Sequence, residues 1–192
     1  MDFKQYQLHF QSIINSDQPK PPYNEPDYLN YAKLNWSRQQ RWIKVAELNP
    51  DLVALIKRVD TPQQWIVITE PWCGDAAHTV PFIFMLSQQN PLINLDIQLR
   101  DTEPYLIDSY LSGQSKSIPK FVIRDMEGKD LLVWGPRPAE SQVLFDQLKA
   151  SGADFEEYKI QLQHWYNKDK GVSFQEEIVQ QFNLLLNKNL NV

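Results

Sequence analysis

Cysteine is almost absent from this chain of 192 residues, and Cys73 stands alone. With one thiol no intramolecular disulfide can form, and a lone free sulfur suits a reducing compartment, where structural disulfides are rare. Long apolar runs are missing too. Nothing approaches the roughly 18 consecutive apolar residues of a membrane span. The opening Met1-Asp2-Phe3-Lys4-Gln5-Tyr6 lacks the basic-then-apolar pattern of a secretory signal, so the expected location is the cytoplasm. Basic charge is in deficit, with 19 Lys and Arg against 24 Asp and Glu for a net charge of −5. The two signs are interspersed, and without a basic stripe to follow a phosphate backbone, neither nucleic-acid nor membrane partners are expected. His9, His78 and His164 are scattered, and none has metal-ligand spacing to another ligand, so no metal is expected. No internal repeat occurs at solenoid periods.

What is present suits one packed core. With 42% hydrophobic and 22% charged residues, the chain is long enough for one domain and too short for two independent ones. Residues 2–15 form an expected amphipathic helix with Phe3, Tyr6, Leu8, Phe10, Ile13 and Ile14 on its apolar face. Four prolines make Asp17 to Asp27 an extended connector. Tyr28 to Leu48 reads as a helix with Tyr28, Ala32, Trp36, Ile43 and Ala46 in one stripe. Trp36, Arg38, Arg41 and Trp42 on it are assigned packing and solvent roles and no chemistry. Asn49-Pro50 reads as an N-cap and first helical position, with Leu52, Leu55, Ile56 and Val59 facing inward.

The run Trp65-Ile66-Val67-Ile68 lacks polar alternation, as expected of a central strand covered on both faces. A helix through Leu86 follows, then a strand from Leu92 to Leu99, together a parallel β-α-β unit. A short helix over Leu106 to Leu111 leads to strands Phe121 to Ile123 and Leu131 to Trp134, joined by a turn at Asp125 to Lys129. A helix from Pro136 to about Lys149 and two more over 153–167 and 173–188 complete the α/β reading. Ser173 and Glu176 fit a capping box, and Asn187 to Val192 is expected to fray.

Cys73 lies where the first strand hands over to a helix. There the unpaired N–H groups and the positive end of the helix dipole favour a thiolate. Asp75 works against this, because its negative charge so near the sulfur raises the thiol pKa. His78 is read as solvent-facing in preference to catalytic. Arg100 ends the second strand at the same sheet edge as Cys73. It either steadies a thiolate or grips an anionic substrate, or it simply pairs with Asp101 or Glu103.

Trp72-Cys73-Gly74-Asp75-Ala76 resembles the Trp-Cys-Gly-Pro-Cys active site of thioredoxins. Pro81 matches the proline that kinks the active-site helix, Ile118-Pro119 resembles the cis-proline turn beside the nucleophilic sulfur, and Gly135 matches the glycine ending the last strand. The Glu-x-Trp-Cys-Gly-Asp-Ala-Ala form is most similar to a bacterial branch of thioredoxin-like proteins. The resemblance covers residues 60–150. It implies a thioredoxin-like core over 61–150, with a helical extension at 1–60 and another at 151–192, all packed as one domain. By the same resemblance Cys73 is the catalytic residue. Trp72, Gly74, Asp75, Ile118 and Pro119 support it or hold substrate, with Arg100 as a further candidate.

The sequence departs from that family where the second half of the chemistry would sit. Ala76 replaces the resolving cysteine, Val67 stands in place of the buried aspartate, and no acid occurs from Trp65 to Thr69. The resemblance therefore implies monothiol thiol–disulfide exchange with protein or small-molecule disulfides. No bound cofactor is expected, and a low-molecular-weight thiol serves as co-substrate. The other reading is a non-catalytic binding or redox-sensing module on the same fold.

Overall fold

The apolar run Trp65 to Ile68 has no position to turn toward water, and it becomes the centre of the sheet. β1 (Gln63–Thr69) pairs in parallel with β2 (Ile93–Leu99) and antiparallel with β3 (Lys120–Arg124). β4 (Asp130–Trp134) pairs antiparallel with β3, giving the order β2-β1-β3-β4. The structure is a computed structural model and describes residues 1–189. Thr69 faces Leu99 in register, so the chain leaves β1 toward Cys73 and β2 toward Arg100 at the same end of the sheet. α4 (Gly74–Ser87) links the parallel pair and α5 (Ala139–Ser151) follows the hairpin. The expected β-α-β unit followed by a ββ-α unit is present, with helices before and after it.

The flanking helices share the core of the sheet. α1 (Phe3–Ile14) opens with a reciprocal cap in which Asp2 accepts from the Gln5 N–H and Gln5 accepts from the Asp2 N–H. It buries Phe3, Tyr6 and Phe10, but Leu8 is exposed, contrary to the expected apolar face. Leu8 lies five residues past Phe3, roughly 140° around the helix and off the stripe. α2 (Pro26–Val45) starts two residues earlier than expected because Pro26 suits the first helical turn. It stops short of Leu48, and Asn49 caps α3 (Pro50–Lys57) by accepting from the Asp51 and Leu52 N–H groups. Its buried stripe is Ala32, Asn35, Gln39 and Trp42. The expected stripe misses the two amides, and Tyr28 is exposed.

Leu106–Ser109 makes one 3-10 turn, shorter than the expected helix. α6 (Phe155–Asp169) and α7 (Val172–Asn189) close the chain. The Ser173–Glu176 capping box does not form, because Ser173 already lies inside α7. The Ser173 N–H and hydroxyl both donate to Asp169 Oδ1, while Gly171 N–H donates to Oδ2. Gly171 makes this sharp joint feasible, with φ of 80° and no space for a Cβ beside the Phe82 ring. Phe174, Ile178 and Phe182 of α7 enter the same core as Trp65, whose ring lies 5.1 Å from Phe121 and 6.1 Å from Phe182. Of the expected frayed tail, residues 190–192 lie outside the described residues, and α7 runs through Asn189. Among the described residues no helix is long and apolar enough to cross a membrane.

Candidate functional site

Cys73 is the N-cap of α4, with backbone extended at φ −80° and ψ 115°, and its Sγ accepts from the Ala76 N–H at 3.5 Å. The thiol in turn donates to the Ile118 carbonyl at 3.3 Å. The Ile118–Pro119 peptide bond is cis. Gly135 supports this loop from below. Its φ is 116°, and a Cβ there would collide with the Pro119 carbonyl oxygen, so only glycine lets the end of β4 lie against the loop. Gly74 is a milder case, since a Cβ there would meet only the Tyr31 hydroxyl at the end of a side chain. The loop from Pro71 is also fastened from α2, where the buried Asn35 amide donates to the Pro71 carbonyl at 3.1 Å.

Asp75 does not stand free at the helix start. Its Oδ2 accepts from Arg137 Nη2 at 2.7 Å and Nε at 3.1 Å, and its Oδ1 accepts from the Tyr166 hydroxyl at 2.7 Å. The two charged side chains are 10% and 12% exposed, a buried ion pair between α4 and the loop before α5. Neither partner is near Asp75 in sequence. Cys73 is itself buried, and burial pushes its thiol up to about 12, with the Asp75 charge next in effect. The Ala76 N–H and Arg137 oppose the rise and do not cancel it. The expectation that the helix start favours the thiolate is thus overturned, because desolvation outweighs the helix-end N–H groups.

His78 is buried at 4% exposure, which corrects its reading as a solvent-facing residue. Its Nδ1 accepts from Trp42 Nε1–H at 2.9 Å, which leaves the proton on Nε2 to donate to Gln163 Oε1 at 3.1 Å. The ring also stacks on Tyr166 at 4.4 Å. Burial pushes its pKa down to about 3. A neutral imidazole with both nitrogens engaged takes no proton from Cys73. His78 fastens α2, α4 and α6 together, and so holds the walls of the site.

Those walls enclose a cleft of about 650 Å³ with Cys73, Gly74 and Ile118 among its lining residues. Trp72, Asp75 and Arg100 line it as well. Arg100 forms the surface pair foreseen as one alternative, donating to both Asp101 oxygens at 2.8 Å, and also lies 4.5 Å over the Trp72 ring. Pattern reading missed Tyr31, Arg38, Arg137, Phe155, Tyr158 and Tyr166, all lining the cleft. Only Arg38 had been singled out, and it was assigned to solvent. Among the described residues no group of three or more His, Cys, Asp or Glu side chains is placed to hold a metal ion.

Behind the cysteine loop, Glu70 is 6% exposed and accepts from the Asp101 N–H at 2.9 Å. Burial raises its pKa from 4.5 to about 7. The folded state therefore binds this proton more tightly than the unfolded chain. Its stabilising contribution is full below pH 4.5 and is lost as pH rises through 7. At most about 3 kcal/mol is at stake. Urea unfolding of the wild type is expected to weaken from pH 5 to pH 8, and Glu70→Gln is expected to flatten that slope. Parallel pH profiles for the two proteins would refute the assignment.

A family model described as thioredoxin matches residues 23–149. None of the curated proteins matches the chain. Among solved structures, a crystal structure of an HIV epitope-scaffold aligns with a TM-score of 0.55 at 15% identity, covering 95% of this chain and 92% of that one. A protein of unknown function from Pseudomonas aeruginosa aligns at 15% identity and a TM-score of 0.47, over 90% of this chain and 99% of its own. At that identity the epitope-scaffold match speaks for the fold alone.

Proposed function

The chain belongs to the thioredoxin family, and on that premise we propose that it carries out thiol–disulfide exchange by a monothiol route through Cys73. The observation carrying this reading is the placement of Cys73 Sγ, at the N-cap of α4, 3.3 Å from the Ile118 carbonyl and on a ligand-sized cleft. The Cys73 thiolate attacks one sulfur of a substrate disulfide. A Cys73–S–S–R bond forms as the substrate S–S bond breaks, and the other half leaves as a thiolate. The proton lost from Cys73 reaches solvent and the leaving thiolate is protonated from solvent, since His78 is engaged on both sides. An external low-molecular-weight thiol then attacks the mixed disulfide, leaving with R as a new disulfide and restoring Cys73. No electrons are gained or lost overall, and a reducing compartment such as the cytoplasm supplies the second thiol. Protein or small-molecule disulfides are the substrate class, and the bacterial Trp-Cys-Gly-Asp-Ala branch is the finer placement in this reading.

The test is disulfide exchange with a glutathionylated peptide in the presence of glutathione. Cys73→Ser is expected to abolish turnover while leaving the far-UV circular dichroism unchanged, and undiminished turnover in that variant would eliminate the mechanism. The second reading is a non-catalytic binding or redox-sensing module, and one observation favours its binding form. Cys73 is only 6% exposed and its thiol is pushed up by burial, which disfavours the thiolate that either exchange or oxidative sensing requires.

A further inference from the structure

The cleft differs in charge from the rest of the molecule. Arg38, Arg100, Lys116, Arg137 and Lys159 line it against Asp27, Asp75 and Glu156, an excess of cations in a chain whose net charge is −5. Four of the five cations are already paired, Arg100 with Asp101, Lys116 with Asp108, Arg137 with Asp75 and Lys159 with Glu156. Arg38 is the exception and forms no salt bridge among the described residues. Its Nη1 donates to Asn35 Oδ1 at 2.8 Å, and its guanidinium lies 5.3 Å from the Tyr31 ring centre.

That position is built. Asn35 is fully buried and spends its two ends on two partners, the Pro71 carbonyl just before Trp72-Cys73 and the Arg38 guanidinium. One amide therefore fixes Arg38 relative to the cysteine loop. Tyr31 stands between Arg38 and Gly74, against which its hydroxyl packs. A guanidinium carries five donors in a planar fork suited to a carboxylate, and one donor here is spent on Asn35. The half-buried Arg38 guanidinium has no carboxylate within salt-bridge reach among the described residues, since Asp75 and Glu156 are held by Arg137 and Lys159, and this leaves a partner to be supplied from outside. Phe155 and Tyr158 of α6 face the same cleft as Tyr31 and add apolar surface for the body of a ligand.

We propose that this cleft binds a small carboxylate-bearing thiol or its disulfide, with Arg38 as the carboxylate anchor and the ligand sulfur directed toward Cys73. The proposal rests on the exchange reading for its reaction but not for its binding site. A volume of about 650 Å³ falls within the range of small-molecule sites and holds a ligand of tripeptide size. Arg38 is a positioning residue in this scheme, since it holds the substrate and does not touch the reacting sulfurs.

Two probes separate binding from chemistry. The first compares the dicarboxylate disulfide 5,5′-dithiobis(2-nitrobenzoate) with neutral 4,4′-dithiodipyridine, following release of each thiol at one pH and using 2-mercaptoethanol as the reference thiol. Relative to that reference, Cys73 is expected to prefer the dicarboxylate. Arg38→Met is expected to cut that rate about tenfold and leave the neutral reagent's rate within about twofold, whereas Arg38→Lys retains part of the preference. The second is calorimetric binding of S-methylglutathione, an anionic thioether that cannot exchange. It is expected to bind the wild type and to bind Arg38→Met about tenfold more weakly. Binding that depends on Arg38, with neither disulfide reacting, keeps the anion site and removes the exchange reading. Reaction with both reagents without charge preference, and no S-methylglutathione binding, removes the anion site and keeps exchange.

Discussion

At pH 7 the purified protein is expected to react with iodoacetamide at least about fiftyfold more slowly than a free cysteine. Moving the thiol pKa from about 8.5 to about 12 lowers the thiolate fraction roughly three-thousandfold. The more basic thiolate is intrinsically more nucleophilic, which returns about thirtyfold to sixtyfold. Burial of the sulfur slows access further. The logarithm of the rate is expected to climb with unit slope up to at least pH 10 with no plateau near 8.5, and the single thiol makes the trace unambiguous. A plateau below pH 8 would overturn the electrostatic account and identify an activated nucleophile. The predicted slow profile favours the binding module unless the glutathionylated peptide turns over. If it does, the cleft must activate a sulfur that is inert to reagents lacking the substrate's contacts.

Arg137→Met is expected to cost about 3–5 kcal/mol of folding stability, because it leaves the Asp75 carboxylate buried with only the Tyr166 hydroxyl as side-chain partner. Against a typical total of about 5–15 kcal/mol this is a large fraction, and the melting temperature is expected to fall by roughly 10 °C. Asp75→Asn combined with Arg137→Met removes both charges and is expected to recover most of the loss, since no uncompensated ion remains. The same pairing ties the stability of the site to the thiol. Arg137 holds the Cys73 pKa down and Asp75 holds it up, so Arg137→Met alone is also expected to slow alkylation further. Urea unfolding decides the matter, and a loss below about 1 kcal/mol would show that Asp75 is hydrated or neutral in the fold.

Much of the scaffold around Cys73 was legible because it is written in local signals. The β1 run, the α3 start at Asn49-Pro50 and the strand–turn–strand from Phe121 to Trp134 each follow from periodicity or turn chemistry within a few residues. The meeting of Trp72-Cys73 with Ile118-Pro119 and Gly135 was readable through resemblance and spacing. Two of the errors share a cause. Asn35 and His78 are polar residues that became buried because partners distant in sequence engage them, Pro71 for the one and Trp42 and Gln163 for the other, and hydropathy patterns have no sign for a partner. Ser173 was read as a cap from its short motif, but Asp169, at the end of the preceding helix, reached its N–H first.

The sequence by itself determined the order of strands and helices, the single sulfur at a strand-to-helix junction, and the loss of a second thiol and of an acid within β1. Those properties depend on residue identity and near-neighbour spacing. Only the tertiary structure decided the state of that sulfur. Desolvation by the surrounding core sets the Cys73 proton, while Arg137 and Tyr166, 62 and 91 residues beyond Asp75, share the charge beside it. It also decided that α2 and α6 enclose a cleft in which Arg38 lacks an acidic partner among the described residues. Charge energies depend on distance and on the medium between the groups, and folding alone fixes both.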